Sequence, residues 1–288
     1  MKFAVMVAGP IRYVLSVIEV LETKKNIDLF IHIWSDDTGN KKRLDEDDAD
    51  LLKLQSLSNV KYLFIAKPYT DNDFKADLSC DVELGQSNMA SVLGMFISMN
   101  VLVNVVSLMP EKYKAVIRLR TDCLIMVDEL FDDFPVNKEV FVSKNYLIPH
   151  EWVSDHIMAG SVESMLDIWG WDSIEELYRT YNKAKTNPEL LLSQKIKRLG
   201  ISVNEKWLRY RDYNIIYNPP KANDLSWIAS VIENHGVKFL FENWKGYVDK
   251  DEIDSLLRKQ KLNQDYYSLP KWKKVFVKLG LFDVEKML

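Results

Sequence analysis

Two arginines and an aspartate alternate along one apolar segment, Tyr113–Asp122, which reads YKAVIRLRTD. Period-two alternation places Arg118, Arg120 and Asp122 on one face of a strand. A guanidinium group is costly to bury without a partner, and its fork matches phosphate oxygens. The segment therefore indicates either a site for a phosphate-bearing ligand or an internal Arg–Asp network that only stabilises the loop.

A second candidate site follows the first apolar segment, Phe3–Ala8, where the chain reads Gly9-Pro10-Ile11-Arg12. A single glycine permits close approach of the backbone to a nucleotide, and Arg12 would reach a phosphate or a base edge. The loop lacks the further glycines of a dinucleotide fingerprint, and no Walker A sequence occurs. NAD enzymes and P-loop kinases are therefore disfavoured, and an ordinary strand-to-helix turn is the alternative.

The elements that must position these residues alternate between strands and helices. The predicted strands are Phe3–Ala8, Asp28–Trp34, Val60–Ala66, Tyr113–Leu119 and Val140–Ser143. The predicted helices are Ile11–Thr23, Leu51–Leu57, Gln86–Met109, Val162–Trp169 and a segment from Asn187 to Gly200, before an extended piece at 201–203. Such alternation predicts an α/β fold with a mainly parallel sheet flanked by helices. Ligands bind at the carboxyl ends of such strands.

The chain is expected to hold one main domain, residues 1–245, and a helical C-terminal appendage, residues 246–288. Within the first, the uncharged stretch Gln86–Met109 is long enough to span a bilayer. It contains eight Ser, Asn and Gln residues, which are costly in lipid, and a buried core helix is therefore predicted.

Composition excludes several classes of protein. With 288 residues, 47% of them hydrophobic, the chain can bury a large core. Its 38 basic and 42 acidic residues give a net charge of −4, which argues against a nucleic-acid partner. Two cysteines, Cys80 and Cys123, form no disulfide framework or zinc cluster. The apolar start is too short for a secretory signal, so a cytoplasmic protein is expected.

The order of these motifs resembles the GT-A glycosyltransferases of bacterial surface-polysaccharide synthesis, in particular the WavE-type lipopolysaccharide and capsular polysaccharide synthesis family. The resemblance spans Met1–Val203 and rests on the Gly9-Pro10 loop, FIHIW at 30–34, the long helix and the RLRTD segment. It implies a GT-A-like, Rossmann-like fold that transfers a sugar from a nucleotide-sugar donor to a hydroxyl of a glycan acceptor. Gly9, Pro10 and Arg12 would then line the nucleotide site, and Arg118 and Arg120 would hold the diphosphate.

The resemblance also implies a divalent metal, Mn²⁺ or Mg²⁺, held by a D-x-D motif. The matching positions here are Arg120-Thr121-Asp122, so Asp122 would be the metal ligand. Arg120 stands where the first carboxylate would be. This departure leaves metal dependence open, because Arg120 could itself neutralise the diphosphate.

Two acids are candidates for taking a proton from the acceptor hydroxyl. Asp155 lies in a segment that resembles S-D-x-x-x-x-G-S of the family, and Glu189 lies in one that resembles P-E-x-x-L. A positioned carboxylate accelerates such a step by about 10²–10⁴-fold. Asp155 ranks first, because an acid in a first helical turn is favoured there by the helix dipole alone. A turn or helix cap is the structural alternative for Asp155.

Other residues receive weaker predictions. His32 is expected to be a satisfied core residue, and Trp152, Trp169 and Trp171 either stack on a sugar or belong to the core. Residues 265–288 include a basic amphipathic stretch from Pro270 to Gly280, which suits an anionic membrane surface and a lipid-linked acceptor. Peripheral contact with the inner face of the membrane is one reading, and a terminal helix docked on the body is the other.

Two other functions fit the same pattern. A non-catalytic nucleotide-sugar or glycan-binding protein on this fold would explain the replaced carboxylate at position 120. A sugar nucleotidyltransferase would need a longer glycine-rich basic loop than Gly9-Pro10-Ile11-Arg12 provides. Nucleotide release from a sugar donor distinguishes the enzyme that uses the donor from the protein that only binds it.

Overall fold

The computed structural model divides the chain into two compact units, residues 1–215 and 216–288. It describes residues 2–11, 14–24, 26–37, 42–43, 49–73, 89–125, 133–135, 138–144, 152–173, 175–177, 179–180, 188–208, 212–215, 270 and 273. The membrane-contact segment 265–288 therefore lies almost wholly outside the described residues. The predicted boundary at residue 245 stays a prediction.

The first unit is built from eleven described strands and five described helices. The strands are β1 (Lys2–Pro10), β2 (Ile27–Trp34), β3 (Asp36–Asp37), β4 (Lys42–Arg43), β5 (Val60–Ala66), β6 (Tyr113–Arg120), β7 (Cys123–Ile125), β8 (Glu139–Lys144), β9 (Ile157–Gly160), β10 (Ser202–Leu208) and β11 (Tyr213–Ile215). The helices are α1 (Val14–Glu22), α2 (Ala49–Ser56), α3 (Met89–Leu108), α4 (Val162–Trp169) and α5 (Pro188–Leu199).

Seven strands form the main sheet in the order β10-β8-β9-β6-β1-β2-β5. β9 pairs antiparallel with both β6 and β8, and the other neighbours pair in parallel. Two small antiparallel pairs, β7–β11 and β3–β4, accompany it. The predicted α/β fold with a mainly parallel sheet is confirmed. No strand was predicted at β9, because its four residues, IMAG, show no polar alternation.

Buried apolar side chains form one cluster on each face of the sheet. The first contains α3, α4 and α5 with Ala4, Met6 and Val116, and the second contains α1 with Val5, Val7 and Ile117. Strict alternation along β6 would place Tyr113 on the same face as Ile117, but Tyr113 packs in the first cluster. The pairing of β1 with β6 is irregular near its start, so strict alternation does not extend back to Tyr113.

The uncharged stretch forms the central helix of the first cluster, as predicted. α3 has 20 residues, and its length and composition would also suit a membrane span. Eleven of these residues are buried inside the protein, and the helix packs on β1, β2 and α4. Gly94 makes this approach close, since a Cβ there would lie 2.8 Å from side-chain atoms of both Trp34 and Tyr69.

Candidate active site

Strand β6 carries two guanidinium groups to its carboxyl end on the face covered by α3. Arg118 is fully buried, and the side chain of Arg120 is 22% exposed. The Arg118 Nη2 lies 3.1 Å from the sulfur of Met95, and its guanidinium carbon lies 5.2 Å from the ring centroid of Trp169. A helix and an aromatic ring therefore hold the first arginine, while the second reaches solvent.

Asp122 follows β6 in the next turn and is bound by the second arginine. Arg120 donates from Nε to Oδ1 of Asp122 at 2.8 Å and from Nη2 to Oδ2 at 2.9 Å. This two-point geometry is the strong form of the Arg–carboxylate pair. The carboxylate is 2% exposed, so the guanidinium of Arg120 is held in a fixed orientation.

Asp155 meets both arginines, although it lies more than thirty residues away along the chain. Its Oδ2 is 3.5 Å from Nη2 of Arg118 and 3.6 Å from Nη1 of Arg120. The residue precedes β9, and the antiparallel pairing of β9 with β6 brings it to this end of the sheet. Burial alone would raise the pKa of Asp155, but the guanidinium groups of Arg120 and Arg118 outweigh burial and lower it.

Glu189, in the first turn of α5, has the opposite electrostatic environment. Burial, and then the negative charge of Asp155, raise the pKa of Glu189 to about 7, while Arg120 and Arg118 oppose the shift. A carboxyl group with this pKa exchanges its proton near neutral pH, which suits a general base. The structure thus places both sequence-predicted acids in one electrostatic cluster and gives them different proton affinities.

The end of β1 contacts the same turn. Ala8 is paired in register with Arg120, and a Cβ added to Gly9 would lie 2.9 Å from Oγ1 of Thr121. Gly9 has φ +140°, which side-chain-bearing residues rarely adopt. Gly9 and Pro10 therefore lie beside the Arg120–Asp122 turn, and Arg12 lies outside the described residues.

Four buried polar atoms around Arg118 have no hydrogen-bond partner within the described part of the chain. They are Nε and Nη1 of Arg118, Oδ1 of Asp155 and Nε1 of Trp169. Buried polar atoms are normally paired, because each unmade hydrogen bond is costly. Polar groups of a ligand could pair with these atoms, three of which are donors.

Two residues behind Asp155 were not assigned to the site from sequence. Nδ1 of His156 is 3.0 Å from the hydroxyl of Tyr213, and its Nε2 is 3.9 Å from Oδ1 of Asp155. No sequence signal links Tyr213, on β11, to residue 156. Cys123 is buried, and burial raises the pKa of its thiol, which disfavours a thiolate nucleophile.

The described residues do not fit a divalent metal at this position. Both oxygens of Asp122 already accept from Arg120, and the guanidinium groups of Arg118 and Arg120 balance the carboxylates of Asp122 and Asp155, so no excess negative charge attracts a cation. Among the described residues, no cluster of three His, Cys, Asp or Glu side chains is placed to hold a metal ion. The donor groups of Arg118 and Trp169 that are unpaired within the described part of the chain are suited to acceptor oxygens of a ligand.

The remaining sequence candidates have mixed outcomes. His32 is buried as expected, but it is not satisfied: neither ring nitrogen has a hydrogen-bond partner in the described structure. Burial lowers its pKa to about 4. Trp169 and Trp171 pack on Phe96 at centroid distances of 5.4 and 5.8 Å; Trp169 is a buried core residue, and the partly buried Trp171 packs against the core. Trp152 is partly exposed.

Replacing Gly9 with alanine is expected to lower the free energy of unfolding by about 1–3 kcal/mol from backbone strain, with the Thr121 contact adding to it. Gly200→Ala is the matched control, because φ is +65° there and nothing lies within 4 Å of the new Cβ. Urea unfolding of both variants measures the difference. Equal losses of unfolding free energy in the two variants would show that the contact with Thr121 adds no cost.

Neither a family model nor a curated protein sequence matches the chain. Solved structures that are similar in fold include the galactosyltransferase LgtC in complex with donor and acceptor sugar analogues, at 10% identity and a TM-score of 0.43 over 69% of this chain and 72% of that one. The glycosyltransferase GlyE of Streptococcus pneumoniae TIGR4 matches at 12% identity and a TM-score of 0.40, over 100% of this chain and 62% of that one. Mouse xyloside xylosyltransferase 1 matches at 11% identity and a TM-score of 0.40, over 72% of this chain and 85% of that one. Likeness at this level assigns no activity.

Proposed function

We propose that this chain transfers a sugar from a nucleotide-sugar donor to a hydroxyl of a glycan acceptor. The observation that supports it most is the convergence of Arg118 and Arg120 on Asp155, beside an acid whose pKa is about 7. Breaking the bond between a sugar and a diphosphate develops negative charge on the leaving group, which fixed cations stabilise. The acceptor hydroxyl must also lose a proton. Both requirements are met at one end of the sheet.

Each residue has a distinct part in this proposal. Arg120, the more exposed arginine, binds the diphosphate, and Asp122 orients its guanidinium group. Asp155 holds both arginines in place, and its lowered pKa makes it a weak base. Glu189 is therefore the better proton acceptor, although the sequence alone ranks Asp155 first. Gly9 and Pro10 border the donor from β1.

The charge on the leaving group is met in this proposal by guanidinium groups rather than by Mn²⁺ or Mg²⁺. The two-point pair between Arg120 and Asp122 supports this assignment. Membership of the WavE-type family, a lipid-linked acceptor and a position at the inner face of the membrane complete the proposal, and they rest on the sequence pattern alone.

The test is nucleotide release from UDP-, GDP-, CMP- and TDP-sugars, with Mn²⁺ or with a chelator. We expect slow hydrolysis of one donor at the same rate in both conditions. Arg120→Met should lower that rate by about 10²-fold or more, since it removes a preorganised cation. Arg198→Met, at an exposed position on α5, is the matched control.

Two results would contradict parts of this proposal. Nucleotide release that requires Mn²⁺ would show that a metal, and not Arg120, stabilises the negative charge on the leaving group. If the chain releases no nucleotide and also binds no donor by calorimetry, the transferase assignment is wrong. Binding of a donor without release would favour the non-catalytic protein. Thermal unfolding of Arg120→Met shows whether the variant is folded, because Asp122 loses its partner in it.

A further inference from the structure

A cleft of about 850 Å³ lies between helix α5 and the edge of the sheet formed by β8 and β10. Its apolar side chains include Val142, Ile196 and Ile201, all three of which are buried. Volumes of this size are typical of sites for small organic ligands. The cleft is separate from the arginine pair, and none of the roles proposed above uses it.

The polar groups of the cleft suit a carbohydrate. Trp152 is partly exposed at its wall, and Gln194 presents an exposed amide that can both donate and accept. A sugar ring has an apolar C–H face, which packs on an indole, and hydroxyl groups, which pair with amides and carboxylates. The carboxylate of Glu205, 3.0 Å from Nζ of Lys144, also lines the cleft.

The charges in the cleft balance. Glu139 and Glu205 line it with Lys197, and Nζ of Lys144 lies 3.0 Å from the carboxylate of Glu205. A ligand of the cleft is therefore expected to be held by hydrogen bonds and apolar contacts and not by net charge.

The cleft adjoins the candidate active site through two of its lining residues. Val153 lies two residues before Asp155, and Leu190 directly follows Glu189. The backbone N–H of Val153 donates to Oγ of Ser193 at 3.1 Å, which joins the segment before β9 to α5. A chain molecule bound along the cleft would therefore have one end close to Glu189.

We infer that the cleft binds an extended saccharide whose terminal sugar is presented to Glu189. The role of this saccharide as the acceptor rests on the proposed transferase function. Binding of a saccharide in the cleft does not depend on that function. Trp152 packs on a ring face, and Gln194 binds hydroxyl groups. A cleft of about 850 Å³ has room for more than one sugar ring, which favours an oligosaccharide over a single sugar.

The experiment measures binding of the full chain to a printed array of bacterial and mammalian glycans. Gln194→Trp fills the cleft, and Trp152→Ala removes the ring on which a sugar would stack. Each is expected to lower binding of the recognised glycans at least tenfold. Gln55→Trp is the matched control, because Gln55 is also an exposed helical glutamine but lies on α2, which packs on β5 at the opposite edge of the sheet.

The inference is overturned if the wild-type chain binds no glycan on the array, or if Gln194→Trp binds as well as the control. Because Gln194 is exposed, its replacement is not expected to unfold the chain. Nucleotide release by the wild-type chain without acceptor tests the transferase proposal separately. If glycan binding requires the cleft but no nucleotide is released from any donor, only the transferase proposal is contradicted.

Discussion

Replacing Glu189 with glutamine is expected to lower the rate of sugar transfer by about 10²–10⁴-fold. The amide has nearly the same shape but cannot take a proton from the acceptor hydroxyl. The effect should fall on kcat, with the KM for the donor little changed, because Arg120, to which the proposal assigns the diphosphate, remains in place. Glu163→Gln is the matched control, since Glu163 is also the second residue of a helix but is exposed.

The pH dependence of transfer identifies the group. The pKa of Glu189 is about 7, so the carboxylate required as a base is lost as the pH falls through 7. Wild-type kcat is expected to rise with pH and to level off above about pH 7. The Glu189→Gln variant should lose this rise. A rise that persists in the variant would assign the base to another residue.

The same titration gives a readout that does not depend on activity. The folded pKa of Glu189 is raised from 4.5 to about 7, so between these pH values the folded chain holds a proton that the unfolded chain has lost. Stability from this group is fully present below pH 4.5 and decreases as the pH rises through 7, by up to roughly 3 kcal/mol. Unfolding by urea should show a smaller decrease in Glu189→Gln.

Replacing Arg118 with methionine is expected to lower the free energy of unfolding by about 3–5 kcal/mol. Asp155 is 3% exposed and would lose the guanidinium group at 3.5 Å, which leaves a buried charge with poorer compensation. The double variant Arg118→Met with Asp155→Leu should recover much of this loss, since it removes both buried charges. Urea unfolding of the two single variants and the double variant measures the coupling.

An exposed ion pair provides the control for this cycle. Arg179 pairs with Glu175 one helical turn away, and both side chains are about 70% exposed. Arg179→Met should cost less than about 1 kcal/mol, because solvent screens such pairs. If the double variant at positions 118 and 155 proves as unstable as Arg118→Met alone, then Asp155 is not the partner through which Arg118 stabilises the fold.

The sequence by itself predicted the five described helices, five of the seven strands of the main sheet and one face of the site. Short apolar segments separated by helical ones predict the α/β fold, and the bounds of β5 and α4 agree with the structure residue for residue. The alternation in YKAVIRLRTD places Arg118 and Arg120 on a common face, because the side chains of a strand point alternately to its two sides. These properties are local, and spacing along the chain is sufficient to show them.

Only the tertiary structure showed that the two acids lie in different electrostatic environments. β9 was not predicted, and its antiparallel pairing with β6 is what brings Asp155 to both arginines. The pKa of Asp155 falls because these cations outweigh burial, while that of Glu189 rises because burial and Asp155 outweigh the same cations. Burial and Coulomb interactions depend on distances through space between residues that are remote in the chain. The resemblance to family motifs therefore singled out both carboxyl groups but could not show which of them takes a proton near neutral pH.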